Sequence, residues 1–309
     1  MASVGSVLSS FDDFPIHQTS RPVAQTASSD INHYDRYFLN GYTRDTRLFF
    51  ATAMGLYPNR HVVDASFSVV ADGGTPAARQ ISVHASGRAP ADRADANEVG
   101  PVRVEVLEPL NALRVTVDAP EQGLRADLTF VRRSAPIEEP HFFQQIGLRV
   151  TFDYTRLTQF GGWEGWIEID GVLHDLAPGE TLGCRDRSWG IRSVGERAPT
   201  GAPVADPQFL WLWAPMKFDS FSTHFDVNEL FDGKRWHETG FVAPVAGPDG
   251  APPAEAMRAV DYEIAWRPGT RTAERFEVTL TPWTGEPTVI RVEPLFEFQM
   301  AGLGYLHPE

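Results

Sequence analysis

VRVEVLEPLNALRVTVDAPEQGLRADLTF, residues 102–130, decides the fold class. Val102, Val104 and Val106 alternate with Arg103 and Glu105, and Leu107 closes the run. Leu113, Val115 and Val117 alternate with Arg114, Thr116 and Asp118; Leu124, Ala126, Leu128 and Phe130 alternate with Arg125, Asp127 and Thr129. Successive side chains of a strand point to opposite faces, so each run has one apolar face and one wet face. That is the pattern of antiparallel sheets solvated on one side.

The pattern continues in both directions. Upstream, Val63, Ala65, Phe67 and Val69 alternate with Asp64, Ser66 and Ser68, and Ala71-Asp72-Gly73-Gly74 supplies a turn. Downstream, strands are predicted at 163–170, 209–218, 221–230, 235–242, 259–266, 275–281 and 289–299. Asp170-Gly171 and Asp232-Gly233 carry hairpin signals, because Asp-Gly tolerates the positive φ angles of type I′ turns. Only short helices are expected, at 34–40 or 254–258. The chain therefore reads as all-β, with more than a dozen antiparallel strands in one or two barrels or sandwiches. The first thirty residues, rich in Ser, Thr, Pro and Gln, read as a flexible or draped N-terminal extension. The Pro/Gly-rich stretch 198–207 sets the expected boundary, giving domains at 31–197 and 198–309.

Composition narrows the function. A net charge of -14 repels phosphate backbones and anionic headgroups, which argues against nucleic-acid and electrostatic membrane partners. With one cysteine, Cys184, there is neither an intramolecular disulfide nor a cysteine-built zinc site. No secretory signal and no apolar run of membrane length is seen, so a cytoplasmic protein is expected. No dinucleotide, P-loop, His-Glu-x-x-His or nucleophile-elbow motif is present, and no histidine pair has metal-ligand spacing.

Three constellations remain. In Gly183-Cys184-Arg185-Asp186-Arg187-Ser188-Trp189-Gly190, followed by Ile191-Arg192, three arginines surround one carboxylate, which predicts an ionised Asp186 with a lowered pKa. A salt-bridged corner between sheets explains the same residues. In the second, Trp211 and Trp213 share a strand face, and Ser222, His224, Asp226 and Asn228 share a face of the next strand. Turned into a barrel, His224 and Asp226 can move a proton on an apolar ligand; turned to water, they are a solvated face. The third is Asp153 to Gln159 with Trp163 and Trp166, where Tyr154 and Arg156 either line a pocket or tie a loop between the two halves.

At these residues the chain resembles a known group. Arg185-Asp186-Arg187-Ser188-Trp189-Gly190 is similar to the Asp-His-x-Trp-Gly element of carotenoid hydratase-like and AttH-like proteins. The likeness extends weakly from about Tyr34 to Phe298, supported by Gly55-Leu56-Tyr57-Pro58-Asn59 and by 153–166. It implies two consecutive lipocalin-like β-barrel domains. It also implies hydration, cyclisation or isomerisation of hydrophobic polyenes or terpenoids in an apolar cavity, without metal or redox cofactor. Arg187 stands where the hydratases have His, and arginine does not exchange a proton near neutral pH. The expectation is therefore a cofactor-independent enzyme, a lyase or isomerase, acting on an isoprenoid, steroid-like or polyketide-like molecule. His224 or Asp226 would move the proton, and Asp186 would orient neighbours through Arg185 and Arg187. Trp189, Trp211, Trp213, Tyr154, Arg156 and Arg187 would contact the substrate. A non-catalytic carrier of hydrophobic ligands is the competing expectation.

Overall fold

A computed structural model describes residues 8–15, 20, 22, 25–193, 201, 209–247 and 250–299. It divides into two compact units, Met1–Val204 with Gln299–Glu309, and Ala205–Phe298. Both are antiparallel β.

The first unit contains β1 (His33–Thr43), β2 (Leu48–Tyr57), β3 (Val62–Ala71), β4 (Arg79–Arg88), β5 (Glu98–Val99), β6 (Val102–Glu108), β7 (Ala112–Ala119) and β8 (Leu124–Arg132). It continues with β9 (Ile137–Glu138), β10 (Phe142–Ile146), β11 (Arg149–Ile169), β12 (Val172–Leu176) and β13 (Thr181–Arg192). These form one sheet in the order β4-β3-β2-β1-β13-β11-β8-β7-β6-β5, with β9, β10 and β12 also paired to β11. The sheet curls into a nearly closed barrel, and Gly100 in the β5–β6 turn lies against Ala85 of β4. Its interior is packed. Trp163 is fully buried, with Phe50 and Phe130 edge-on at 5.2 and 5.3 Å, and its indole Nε1 donates to the Asn40 carbonyl at 2.8 Å.

Three glycines make room for that indole and the Phe130 ring beside it. Gly41, Gly183 and Gly161 stand side by side across β1, β13 and β11. A Cβ at Gly183 would overlap the Asn40 carbonyl and the Trp163 nitrogen; one at Gly161 would enter the Phe130 ring. The glycine that opens the 183–190 signature is thus a packing requirement of the barrel.

The second unit contains β14 (Phe209–Lys217), β15 (Phe221–Leu230), β16 (Arg235–Pro244) and β17 (Glu255–Ala256) in one sheet. A second sheet is formed by β18 (Ala259–Trp266), β19 (Ala273–Thr281) and β20 (Thr288–Val292). The two share a core of Phe225, Val227, Val260, Val278, Leu280 and Ile290.

Several local expectations change. Residues 34–40 lie inside β1, and 254–258 hold the short β17; the helical turns among the described residues are 3-10 turns, including Ser10–Asp13 and Pro58–Arg60. The segment 153–166 is the middle of the 21-residue β11. Asp170-Gly171 adopts positive φ at both residues, as a type I′ turn requires, whereas at Asp232-Gly233 only the glycine does. The interior expected to be a ligand cavity is, in the first unit, filled by the Trp163 cluster. No helix among the described residues is long and apolar enough to cross a membrane.

Candidate functional site

β13 lies between β1 and β11, and register decides which side each residue serves. Leu39 and Gln159 stand opposite Arg185, and Tyr37 and Leu157 stand opposite Arg187, on the interior face. Phe38 and Thr158 stand opposite Asp186, and Arg36 and Arg156 opposite Ser188, on the outer face. Asp186 therefore points away from both arginines that flank it in sequence. This corrects the expectation that it orients neighbours through Arg185 and Arg187.

The interior arginines are committed elsewhere. Arg185 pairs with Asp13, and its Nε donates to Gln159 at 2.8 Å. Asp13 also accepts from the Leu110 amide, and its carbonyl accepts from the Tyr37 hydroxyl. The Ser10–Asp13 turn is thus anchored from inside the barrel. Arg187 pairs with Asp35 and lies 4.0 Å over the Tyr37 ring. Trp189 continues this parity, opposite Asp35 and Thr155.

The outer face of β1, β13 and β11 is chemically different. Asp186 is only 5 % exposed, and among the described residues nothing hydrogen-bonds its Oδ1. Burial pushes its pKa up; Arg156, Arg36 and Arg192 act against that rise, and Glu139 adds to it. The expected lowering is overturned because desolvation outweighs the cations. Arg156, itself buried, reaches Glu139 at 3.4 Å and the Tyr154 hydroxyl at 3.1 Å, and lies 4.5 Å over the Phe142 ring. Thr158 donates to Glu139 at 2.6 Å. Phe142 stacks on Tyr154 at 4.4 Å, and Tyr34 meets Tyr154 edge-on at 6.1 Å. The result is a buried acid beside arginines and a wall of aromatic rings.

The same face extends across β2 and β3. Asp64 was expected on a wet face, yet it is 4 % exposed, and Ser66 and Ser68 are fully buried. The Tyr57 hydroxyl donates to Asp64 Oδ1 at 3.2 Å, while Oδ2 has no partner among the described residues. Burial pushes the Asp64 carboxyl up to about 7, against the Tyr57 hydrogen bond and the Arg36 charge. Gly55 is needed here, because a Cβ would overlap the Tyr57 hydroxyl and sit 2.7 Å from Asp64 Oδ1.

In the second unit, Trp213 lies opposite Asp226 and Trp211 opposite Asn228, on one face of β14 and β15. His224 and Asp226 are fully buried, and this face is the reverse of the one carrying Phe225 and Val227 into the unit's core. Trp211 Nε1 donates to Asp226 at 3.2 Å, Asn228 also donates to it, and Trp213 meets His224 edge-on at 5.7 Å. His237 and Thr239 of β16 join them, opposite Asn228 and Asp226.

Of the residues singled out from sequence, Asp186, Tyr154 and Arg156 come together on the outer face of the first unit. Arg187 and Trp189 lie on the interior face, and Trp211, Trp213, His224 and Asp226 group in the second unit. Sequence reading missed Arg36, Glu139, Tyr57 and Asp64. One signal for them exists: the outer positions of β2 include Ala51, Ala53 and Gly55, and those of β3 include Ser66 and Ser68. A solvated face carries long charged side chains, as Arg114, Asp118 and Arg125 do on β7 and β8. Small residues mark a covered one. A cleft of about 470 Å³ is lined by residues including Ser82, His84, Asp118 and Glu121; Ser82 and His84 stand on β4 opposite Ser68 and Ser66, at the edge of this face.

Fold and site together define an all-β protein with a packed barrel whose buried acid lies on the outside of the sheet. The family model described as a family of unknown function, DUF8625, matches residues 8–309, and the chain belongs to that family. No curated protein matches it. Among solved structures, kievitone hydratase from Nectria haematococca is 14% identical with a TM-score of 0.54, over 85% of this chain and 77% of that chain. An AttH-type protein from Nitrosomonas europaea is also 14% identical with a TM-score of 0.54, over 81% and 78%. These likenesses establish the shared fold.

Proposed function

We propose that this protein is an enzyme that acts on a hydrophobic unsaturated molecule, isoprenoid, steroid-like or polyketide-like, by hydration, dehydration or isomerisation, with Asp186 as proton donor. The observation that carries the reading is the setting of Asp186: buried, turned away from Arg185 and Arg187, and biased toward its protonated form by burial. A protonated carboxyl in a dry site is a general acid. Tyr34, Tyr154 and Phe142, packed on one another, make the surroundings of this acid aromatic. His224 and Asp226, buried beside Trp211 and Trp213, are proposed as a second proton-handling pair. A fold shared with a hydratase accommodates this chemistry. A carrier holding its ligand inside the first barrel is disfavoured by the packed Trp163 cluster.

The test is turnover of a panel of isoprenoid alkenes, steroid ketones and polyenes in deuterated water, followed by mass spectrometry. Asp186→Asn is expected to lower turnover and deuterium uptake by at least about 100-fold, with the melting temperature retained. Full activity in that variant would refute the donor role. Asp226→Asn and His224→Ala are tested alongside; unchanged turnover in both removes the second pair.

A further inference from the structure

Three oxygens on the outer face of the first unit have no hydrogen-bond partner among the described residues: Asp186 Oδ1, Ser188 Oγ and the Tyr34 hydroxyl. Each of these side chains is buried, with an exposure of 5 % or less. Roughly nine in ten buried polar groups find a partner, so three orphaned oxygens in one patch point to a ligand that supplies the missing bonds.

Register shows that they do share a patch. Asp186 and Ser188 occupy successive outer positions of β13, and Tyr34 of β1 stands opposite Gly190, the next outer position. Arg36 and Arg156 flank Ser188 from β1 and β11. Ser188 is near enough to act on the Tyr34 phenol, and Arg36, Arg156 and Arg192 act on both Tyr34 and Asp186. Two residues apart on one strand face, Asp186 and Ser188 have Cα atoms about 7 Å apart. A water about 2.8 Å from each of two oxygens spans about 5.6 Å, a separation the two side chains reach by leaning together.

We infer that Asp186, Ser188 and Tyr34 hold one water molecule, and that this water is the one added to, or removed from beside, the double bond of the substrate. The inference rests on the reading of Asp186 as proton donor and deepens it by selecting hydration and dehydration over isomerisation. Three oxygens fall within the two to four or so polar partners that a buried water takes. Hydroxyls and a protonated carboxyl both donate and accept, so the donors and acceptors of one water are matched.

The step balances on these groups alone. The Asp186 O–H bond breaks and its proton forms a C–H bond at one alkene carbon. The water oxygen forms a C–O bond at the neighbouring carbon, and one water O–H bond breaks. That proton passes to the Asp186 carboxylate, directly or by exchange through the Ser188 hydroxyl, and the acid is restored. Nothing is oxidised or reduced, and the reverse order is dehydration. Because the water is hydrogen-bonded to the acid itself, proton and oxygen reach adjacent carbons from the same side, which makes the addition syn.

Two measurements test this. A crystal structure of the full chain is expected to show a water oxygen within about 3.2 Å of both Asp186 Oδ1 and Ser188 Oγ. Protein groups bonded to those oxygens instead, or no water between them, overturn the inference. The second measurement turns over the same panel of alkenes, ketones and polyenes in oxygen-18 water and in deuterated water. The wild-type product is expected to gain oxygen-18 from the first and deuterium from the second, the new C–O and C–H bonds lying on one side. Ser188→Ala and Tyr34→Phe are expected to cut the hydrated fraction by about 10-fold or more while solvent deuterium uptake persists, and Ser188→Thr, which keeps the hydroxyl, to retain it. Tyr34→Phe carries this arm if Ser188→Ala does not fold. An unchanged hydrated fraction in both variants, or anti addition, overturns the inference. Isomers alone, formed only when Asp186 is present, overturn it while leaving the proton-donor reading intact. Deuterium uptake that is indifferent to Asp186→Asn sinks the donor reading instead.

Discussion

Replacing Asp64 by Asn should make the protein more stable at alkaline pH than at acid pH, relative to wild type. The Asp64 carboxyl is pushed up to about 7 in the fold from an ordinary value of 3.8. Between those values the folded chain holds a proton that the unfolded chain has released, so wild-type stability falls as pH rises through that window. Below pH 3.8 the penalty is absent; at pH 5 it is about 1.7 kcal/mol, and at pH 9 about 4 kcal/mol. Asparagine does not ionise and escapes this penalty. Its amide keeps an oxygen for Tyr57 but puts an N–H where Oδ2 had no partner, a cost that is the same at every pH. The difference between the two pH values therefore isolates the ionisation: the variant should gain about 2.5 kcal/mol on wild type from pH 5 to pH 9. Urea denaturation followed by tryptophan fluorescence, with Trp163 buried in this unit, measures it. A stability difference that stays constant within about 0.5 kcal/mol across that range would refute a proton-holding Asp64.

Asp13→Ala leaves Arg185 buried without its carboxylate and should cost about 3–5 kcal/mol, read as a lowered denaturation midpoint; an unchanged midpoint would mean the Ser10–Asp13 turn does not anchor the barrel. Gly183→Ala forces a Cβ onto the Asn40 carbonyl and the Trp163 nitrogen, so loss of soluble protein or of near-ultraviolet circular dichroism is expected. Arg187→Met takes a charged partner from buried Asp35 and should destabilise by about 3 kcal/mol, yet leave the pH dependence of turnover where it was. A shifted pH profile in that variant would place Arg187 in the chemistry.

Much of the fold was legible because alternation with period two is local. The strands 221–230 and 259–266 were located to the residue, and sharing of a face by His224 and Asp226 follows from parity alone. Burial was not legible. Asp64, Ser66 and Ser68 have the alternation of a solvated face, and nothing within β3 says that the face is covered; that follows only from the small residues opposite on β2. Partners distant in sequence were invisible too. Asp13 reaches Arg185 across 172 positions, and Glu139 meets Arg156 and Thr158 only because β9 folds back on β11.

The 183–190 signature misled for a related reason. Charges that are neighbours in sequence suggest an ion-paired cluster, but on a strand neighbours in sequence are the residues that cannot meet. Arg185 and Arg187 secure the inside of the barrel to Asp13 and Asp35, and Asp186 is delivered to the outside with its pKa raised. The same parity bears on Arg187, which stands where the resembled hydratase element has histidine. Position 187 faces the interior, so a group there that cannot exchange a proton takes nothing from the outer face. The proposed donor, Asp186, lies on the opposite face, and Arg187, paired with Asp35, bears on how the barrel is held together.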